Sequence, residues 1–264
     1  MKQIIFILSL FICSTASGGQ KLMVLTEDWP PFNYKENNRI VGISTDLVIA
    51  ALNKAELAYT LHLYPWKRAY QVTLDHSHTL LFTTSRTKQR EKLFKWIGPL
   101  FTRRIVLYKL KTRNDIHINK LDDLKKYKLG ILRGGSVEEY LQARGFQGNI
   151  HYQCVAKEKQ NILKLFANRI DMIPGSDMSL AFRLKNTPYK FSDLKNAFVL
   201  IDKGGYYIAI NIDTPDDIVN RLQTAFNQLV HEGLRQKIVQ KYLSRSEGAD
   251  QNNTFKLLNL NQNK

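Results

Sequence analysis

Short apolar runs alternate with helix-spaced apolar stripes along this 264-residue chain, and the alternation occurs twice. That rhythm restricts the fold to α/β layers built on parallel strands, because neighbouring parallel strands need a crossover, usually a helix, to join them. In the first unit, Leu22 to Thr26 reads as a strand that stops at Glu27-Asp28-Trp29-Pro30-Pro31, where two prolines end any regular element. From Asp46, the positions Leu47, Ala50, Ala51 and Ala55 lie on one helical face. Tyr59 to Tyr64 alternates like a strand, Lys67 to Leu74 suits a short helix, and Thr79 to Thr83 is a further strand.

The second unit follows Leu110. Lys128 to Leu132 reads as a strand and leads to Gly134-Gly135 and then Ser136, with Glu139 three residues on. That Ser-x-x-Glu spacing predicts a capping box, each side chain satisfying a backbone N–H at the helix start. Next come a strand near Ile150 to Cys154 and a helix over Lys157 to Asn168, its apolar side formed by Ile162, Leu163, Leu165 and Phe166. Short strands are predicted at Met172-Ile173, ending at Pro174-Gly175, and at Phe198 to Ile201. Gly204-Gly205 then opens an extended run from Tyr206 to Ile212. Thr214 as N-cap and Pro215 in the first turn start a helix with the stripe Ile218, Leu222, Ala225, Phe226 and Leu229. A last helix carries Leu234, Ile238, Val239 and Tyr242. Beyond Ser244 the chain is polar and Asn/Gln-rich, so residues 244–264 are expected to form a frayed tail.

The first residues point to export. Met1-Lys2 precedes an apolar run from Ile4 to Ile12, followed by small residues up to Gly19, the pattern of a signal peptide over residues 1–18. Cleavage after Ala16 or after Gly18 fits equally. The run is shorter than the roughly 20 apolar residues a membrane span needs. Bulky Ile12 before Cys13 argues against lipidation at that cysteine. Removing the leader leaves Cys154 alone, so no intramolecular disulfide is expected and the fold must rest on packing.

The formal net charge is +16, from 39 Lys and Arg against 23 Asp and Glu. The basic residues are dispersed, without a long run or an interleaved aromatic-basic motif, so a solvated surface is expected and no nucleic-acid partner. Six His are scattered without acidic or Cys partners at metal spacing, and no nucleophile elbow or Cys-His signature is present. No cofactor or metal is expected, and the chain reads as a binding protein rather than an enzyme.

Several stretches together resemble the bacterial extracellular solute-binding proteins of family 3, the periplasmic amino-acid-binding type. They are Thr26 to Phe32, Val41 to Leu47, Pro65-Trp66-Lys67-Arg68-Ala69, Arg86-Thr87-Lys88-Gln89-Arg90 and Phe94 to Pro99. The resemblance covers roughly residues 21 to 243. It implies an α/β, two-lobed type II periplasmic-binding fold, with residues 20–107 plus 210–243 in one lobe and 108–209 in the other. Ile105–Leu110 and Tyr206–Ile210 would be the crossing strands, with ligand held by hinge closure.

The resemblance also implies a site. Arg90 would pair with a ligand carboxylate, its planar fork matching the two oxygens; the other reading places Arg90 in a solvated charge run with Lys88, Glu91 and Lys92. Thr83 and Ser85 would offer hydroxyl and backbone contacts at a strand end. Trp29 would stack on the ligand and Glu27 would sit near the cleft mouth, whereas Phe32 and Trp96 read as core. Trp66 and Arg68 would extend the wall, and Arg133 would approach from the second lobe. The family's amino-group partner is an Asp after the second lobe's short strand; here Ile173-Pro174-Gly175-Ser176-Asp177 offers Asp177, out of register by one or two residues. The expected activity is capture of a small carboxylate-bearing ligand by a periplasmic monomer serving a membrane permease. Docking to a membrane sensor, or dehydratase chemistry on the same fold, are the alternatives.

Overall fold

A computed structural model describes residues 21–243; the predicted leader and the predicted polar tail lie outside the described residues. The first unit runs β1 (Leu22–Thr26), a hairpin of β2 (Tyr34–Glu36) and β3 (Arg39–Val41), α1 (Ile43–Lys54), β4 (Tyr59–Leu63), α2 (Trp66–Asp75) and β5 (Thr79–Ser85). The long strand β6 (Phe94–Leu110) carries the chain into the second unit: β7 (Leu129–Leu132), α3 (Ser136–Gln142), β8 (Tyr152–Val155), α4 (Glu158–Phe166), β9 (Ile173–Gly175) and α5 (Asp177–Leu184). A second long strand, β10 (Leu194–Asn211), returns it to α6 (Asp216–His231) and α7 (Leu234–Leu243).

Strand pairing follows the expected rule. β4, β1 and β5 are parallel neighbours, and so are β7 and β8. The two long strands pair antiparallel with each other over most of their length, with β10 lying beside β5 and β6 beside β9. One sheet of order β4-β1-β5-β10-β6-β9 therefore passes through both units. Every residue of β5 is buried, as a strand covered on both faces requires, which is why it reads as a continuous run rather than an alternation.

The buried side chains divide accordingly. One cluster gathers Leu47, Val48, Leu80, Phe82, Ile208, Leu222, Phe226 and Val239 around α1, α6 and α7. Others gather Leu107, Leu129, Ile131 and Leu141 under α3, and Tyr108, Ile162, Leu165 and Leu180 between α4 and α5. The stripe predicted for α6 holds: Leu222, Ala225 and Phe226 are buried and Ile218 and Leu229 pack beside them.

Several local expectations are corrected. α1 begins at Ile43, three residues before Asp46, because its first N–H groups are met by loop carbonyls rather than by a capping side chain. Ile43 N donates to Pro31 O, and Ser44 N to Phe32 O, at 2.9 and 2.8 Å. Gly42 makes this possible: its φ is 131°, and a Cβ there would lie 2.3 Å from Phe32 O. The capping box at Ser136 does not form. Gly135 is the N-cap, without a side-chain cap bond, and both Ser136 and Glu139 make tertiary contacts instead. Likewise Pro215, not Thr214, caps α6, and Thr214 Oγ1 accepts from His78 N at 3.1 Å. Gly204-Gly205 is not a break: β10 runs through it with a shift of register between Asp202 and Gly205.

Candidate functional site between two lobes

The carboxyl ends of parallel strands leave a crevice, since the chain must depart there into loops and helices. From the first lobe, Glu27 and Trp29 follow β1, Thr83 and Ser85 end β5, Arg90 lies in the loop beyond, and Trp66 is the first residue of α2. From the other, the N-terminal residues of α3 and α4 and the β9–α5 junction close over the same cavity. Tyr206 of β10 completes the wall.

Arg90 is 1% exposed, which rules out the solvated charge run. Its guanidinium lies 5.0 Å from the Trp66 ring centroid and 4.8 Å from that of Tyr70, a box that fixes the plane of the fork. Nε donates to both carboxylate oxygens of Glu139, at 3.0 and 3.1 Å, and Nη2 to Oε1 at 2.6 Å. Nη1 has no hydrogen-bond partner.

Other contacts also cross the cleft. Trp66 Nε1 donates to Gly134 O at 2.7 Å. Arg103 donates to Ser136 Oγ at 2.9 Å, and that hydroxyl donates to Ser85 Oγ at 3.2 Å. Thr83 is 3% exposed, its hydroxyl lacks a partner, and its φ is 60°. A β-branched residue in that region is strained, and strain of this kind collects where backbone is held for function.

Trp29 stands between Phe32 and Tyr206, with centroids 4.6 and 4.9 Å away. Glu27 lies beside this pair. Burial, reinforced by nearby Glu158, pushes its carboxyl up to about 8, and burial raises Glu158 as well. Burial likewise pushes the Tyr206 hydroxyl up to about 12.

Of the residues singled out from the sequence, Arg90, Trp29, Thr83, Ser85, Glu27 and Trp66 meet around one cavity. Three do not line it. Arg68 stacks over Tyr64 at 4.2 Å, and with Arg133 it borders a separate surface groove. Asp177 begins α5 and accepts a hydrogen bond from Tyr108, while the neighbouring Ser176 faces the cavity. Phe32 is core, as read, but Trp96 is only half-buried. Sequence reasoning missed Glu139, Glu158 and Tyr206. A signal for the first two exists: both lie in the first turn of helices that follow strands of the second unit, where side chains border the crevice. Among the described residues no group of three or more His, Cys, Asp or Glu is placed to hold a metal, and no helix is long and apolar enough to cross a membrane.

Two α/β lobes joined by paired long strands, with a polar and aromatic cavity between them, define a cleft-type solute-binding protein. Residues 22–245 match the bacterial extracellular solute-binding proteins, family 3, and the chain belongs to that family. It is 22% identical over 223 residues to a "Probable histidine-binding protein" of Campylobacter jejuni, covering 81% of each chain. It is 23% identical to the arginine-binding extracellular protein ArtP of Bacillus subtilis, covering 86% of this chain and 88% of that one. Among solved structures, an ancestral arginine-binding protein bound to arginine superposes with a TM-score of 0.70 at 20% identity, over 84% of this chain and 97% of the other. A histidine kinase sensor domain with similarity to periplasmic binding proteins gives a TM-score of 0.73 at 16% identity, over 87% and 96%. The fold is thus the type II periplasmic-binding fold, and its family consists of binding proteins that capture solutes outside the cytoplasm.

Proposed function

We propose that this chain is an exported, periplasmic receptor that encloses a small carboxylate-bearing solute of amino-acid type and presents it to an ABC-type importer. Residues 20–107 plus 210–243 and residues 108–209 are the units that close, with β6 and β10 as the hinge. The carrying observation is Arg90: a fully buried guanidinium on the cavity wall, held flat between two rings, with one amino group unspent. A solute carboxylate would meet Nη1, or displace Glu139 from the fork, with Thr83 and Ser85 alongside. The protein acts without cofactor or chemical conversion, as a monomer, and without a nucleic-acid partner.

A thermal-shift and calorimetric screen of amino acids, small carboxylates and short peptides tests this, since a bound solute raises the melting temperature by mass action. Binding should be lost in Arg90→Ala and weakened in Arg90→Lys, which keeps the charge but not the fork. Undiminished affinity in Arg90→Ala would remove the assignment, and a changed mass of the recovered solute would point to an enzyme. A second reading, delivery to a membrane sensor rather than a permease, is favoured by the likeness to the histidine kinase sensor domain. Co-purification from detergent-solubilised membranes separates the two.

A further inference from the structure

Arg68 and Arg133, expected on the cleft wall, meet outside it. With Lys67 they border a surface groove that has one bank on each lobe: Lys67, Arg68 and Val72 of α2 on the first, Arg133 and Ala156 on the second. The banks are joined next to these cations. Trp66 Nε1 donates to Gly134 O at 2.7 Å, and a Cβ on Gly134 would lie 3.7 Å from the Lys67 stem. All three cations are exposed, and none forms an ion pair or a side-chain hydrogen bond among the described residues; Arg68 only stacks over Tyr64. The carboxylates nearest along the chain are turned to other donors, Asp75 to Gln71 Nε2 and Glu138 to Gly134 N and Cys154 Sγ. Nor does the fold ask for this charge. Lys67 and Arg68 stand in the first turn of α2, which carries no acidic residue, and cations there oppose the helix dipole.

We propose that this groove is a docking site for an extended acidic segment of a partner protein, held by Lys67 and Arg68 on one bank and by Arg133 on the other. Unpaired ammonium and guanidinium donors around one recess suit a row of carboxylates, with which they form charge-assisted hydrogen bonds. Val72 and Ala156 add apolar lining, which suits a polypeptide better than a free anion. A recess with three cations is a poor match for a bilayer face, where clusters of about four to eight Lys or Arg are usual. The proposal goes beyond the capture reading. On that reading the segment would belong to the membrane partner, and the groove, made from both lobes, would be whole only while they are together.

Fluorescence anisotropy on the leaderless protein tests it, with a labelled peptide alternating Asp and Ala and its Asn counterpart as control. The Asp peptide should bind at low salt and weaken as salt is raised, since exposed charges hold it, and the Asn peptide should not bind. Arg133→Gln alone should lower affinity about threefold, and Lys67→Gln, Arg68→Gln and Arg133→Gln together about tenfold or more, on the scale of exposed charge pairs. Removing the same charge from another groove, by Lys88→Gln, Lys92→Gln and Lys203→Gln, should cost about twofold at most. Equal losses in the two triple variants would mean general attraction to a basic protein, and no loss in Arg133→Gln would confine the contact to one lobe; either result overturns the proposal. So would phosphatidylglycerol vesicles that bind through these three residues while the Asp peptide does not. The substituted side chains are exposed, and an unchanged melting temperature checks that each variant is folded. Solute affinity should be the same in the groove variant, because none of the three residues borders the cavity. Arg90-dependent solute binding without peptide binding would therefore remove docking and leave capture standing, and peptide binding without any solute would do the reverse.

Discussion

Glu139, on α3 of the second lobe, occupies the fork edge of Arg90 on the first, receiving Nε and Nη2 at 2.6 to 3.1 Å. Arg90 is buried while the Glu139 side chain is 27% exposed, so the pair is anchored on one side and wetted on the other. The carboxylate that a solute would bring to this guanidinium is thus already present as a side chain of the protein, on an element of the opposite lobe.

Glu139→Gln should therefore raise affinity for a carboxylate solute, by about tenfold, because a neutral amide competes less well for a guanidinium than an anion does. Isothermal titration with the best solute from the screen measures it. An affinity that stays the same would mean that the solute uses Nη1 and leaves the pair intact.

A pH dependence follows from Glu27, whose carboxyl rises from an ordinary 4.5 to about 8 when enclosed by burial and by Glu158 and Asp28, against the opposing pull of Arg183 and Arg90. If parting the lobes returns Glu27 to its ordinary 4.5, the form described here holds a proton that the parted form would release. Closing is then unpenalised below about 4.5, is increasingly disfavoured as pH rises toward 8, and carries the full cost above it. Small-angle scattering of the ligand-free protein should show a smaller radius of gyration at pH 5 than at pH 8.5. In Glu27→Gln that difference should fall, leaving only the contribution of Glu158, which acts in the same direction.

Gly42→Ala should destabilise the first lobe by roughly 2 kcal/mol or more, since both the positive φ and the carbonyl of Phe32 exclude a side chain. Chemical denaturation provides the measurement. A loss under about 0.5 kcal/mol, the usual bound for a neutral surface change, would contradict the close approach.

Tyr242→Phe tests how α7 is fastened. The hydroxyl accepts from Gly42 N at 2.9 Å and donates to Asp46 Oδ2 at 3.1 Å, tying the last helix to the start of α1. Removing it strands a buried N–H, which costs about 1–3 kcal/mol. The melting temperature should fall while solute affinity is unchanged, because neither residue borders the cleft.

Much of this molecule was legible because apolar period reports backbone geometry directly. β1 was placed to the residue, and β4, β5, β7 and α2 to within a residue or two at each end. The long strands were not, since β10 passes from buried to exposed and back as it crosses between lobes, so its middle looks like a turn. On the first lobe, Arg90, Trp29, Glu27 and Trp66 were reached through the family resemblance, and strand ends added support only for Thr83 and Ser85. Glu139 was not, because Ser-x-x-Glu spacing carries a local meaning, capping, that the tertiary pull of Arg90 overrides. Arg133 sat beside the right loop but points away from the cavity, a distinction of side-chain direction that residue spacing does not carry.

The paired crossing strands have a consequence for how the protein is read from outside. Both covalent links between the lobes lie side by side in one antiparallel ribbon, and its register slips at four places, between Asn196 and Ile208. A ribbon bends more readily across its flat face than in its plane, which on the capture reading would give the lobes one preferred direction of travel. On the capture reading, every solute that shut the cleft would drive the molecule along the same arc, and a membrane protein touching both lobes would need to gauge only one spacing to tell a loaded carrier from an empty one.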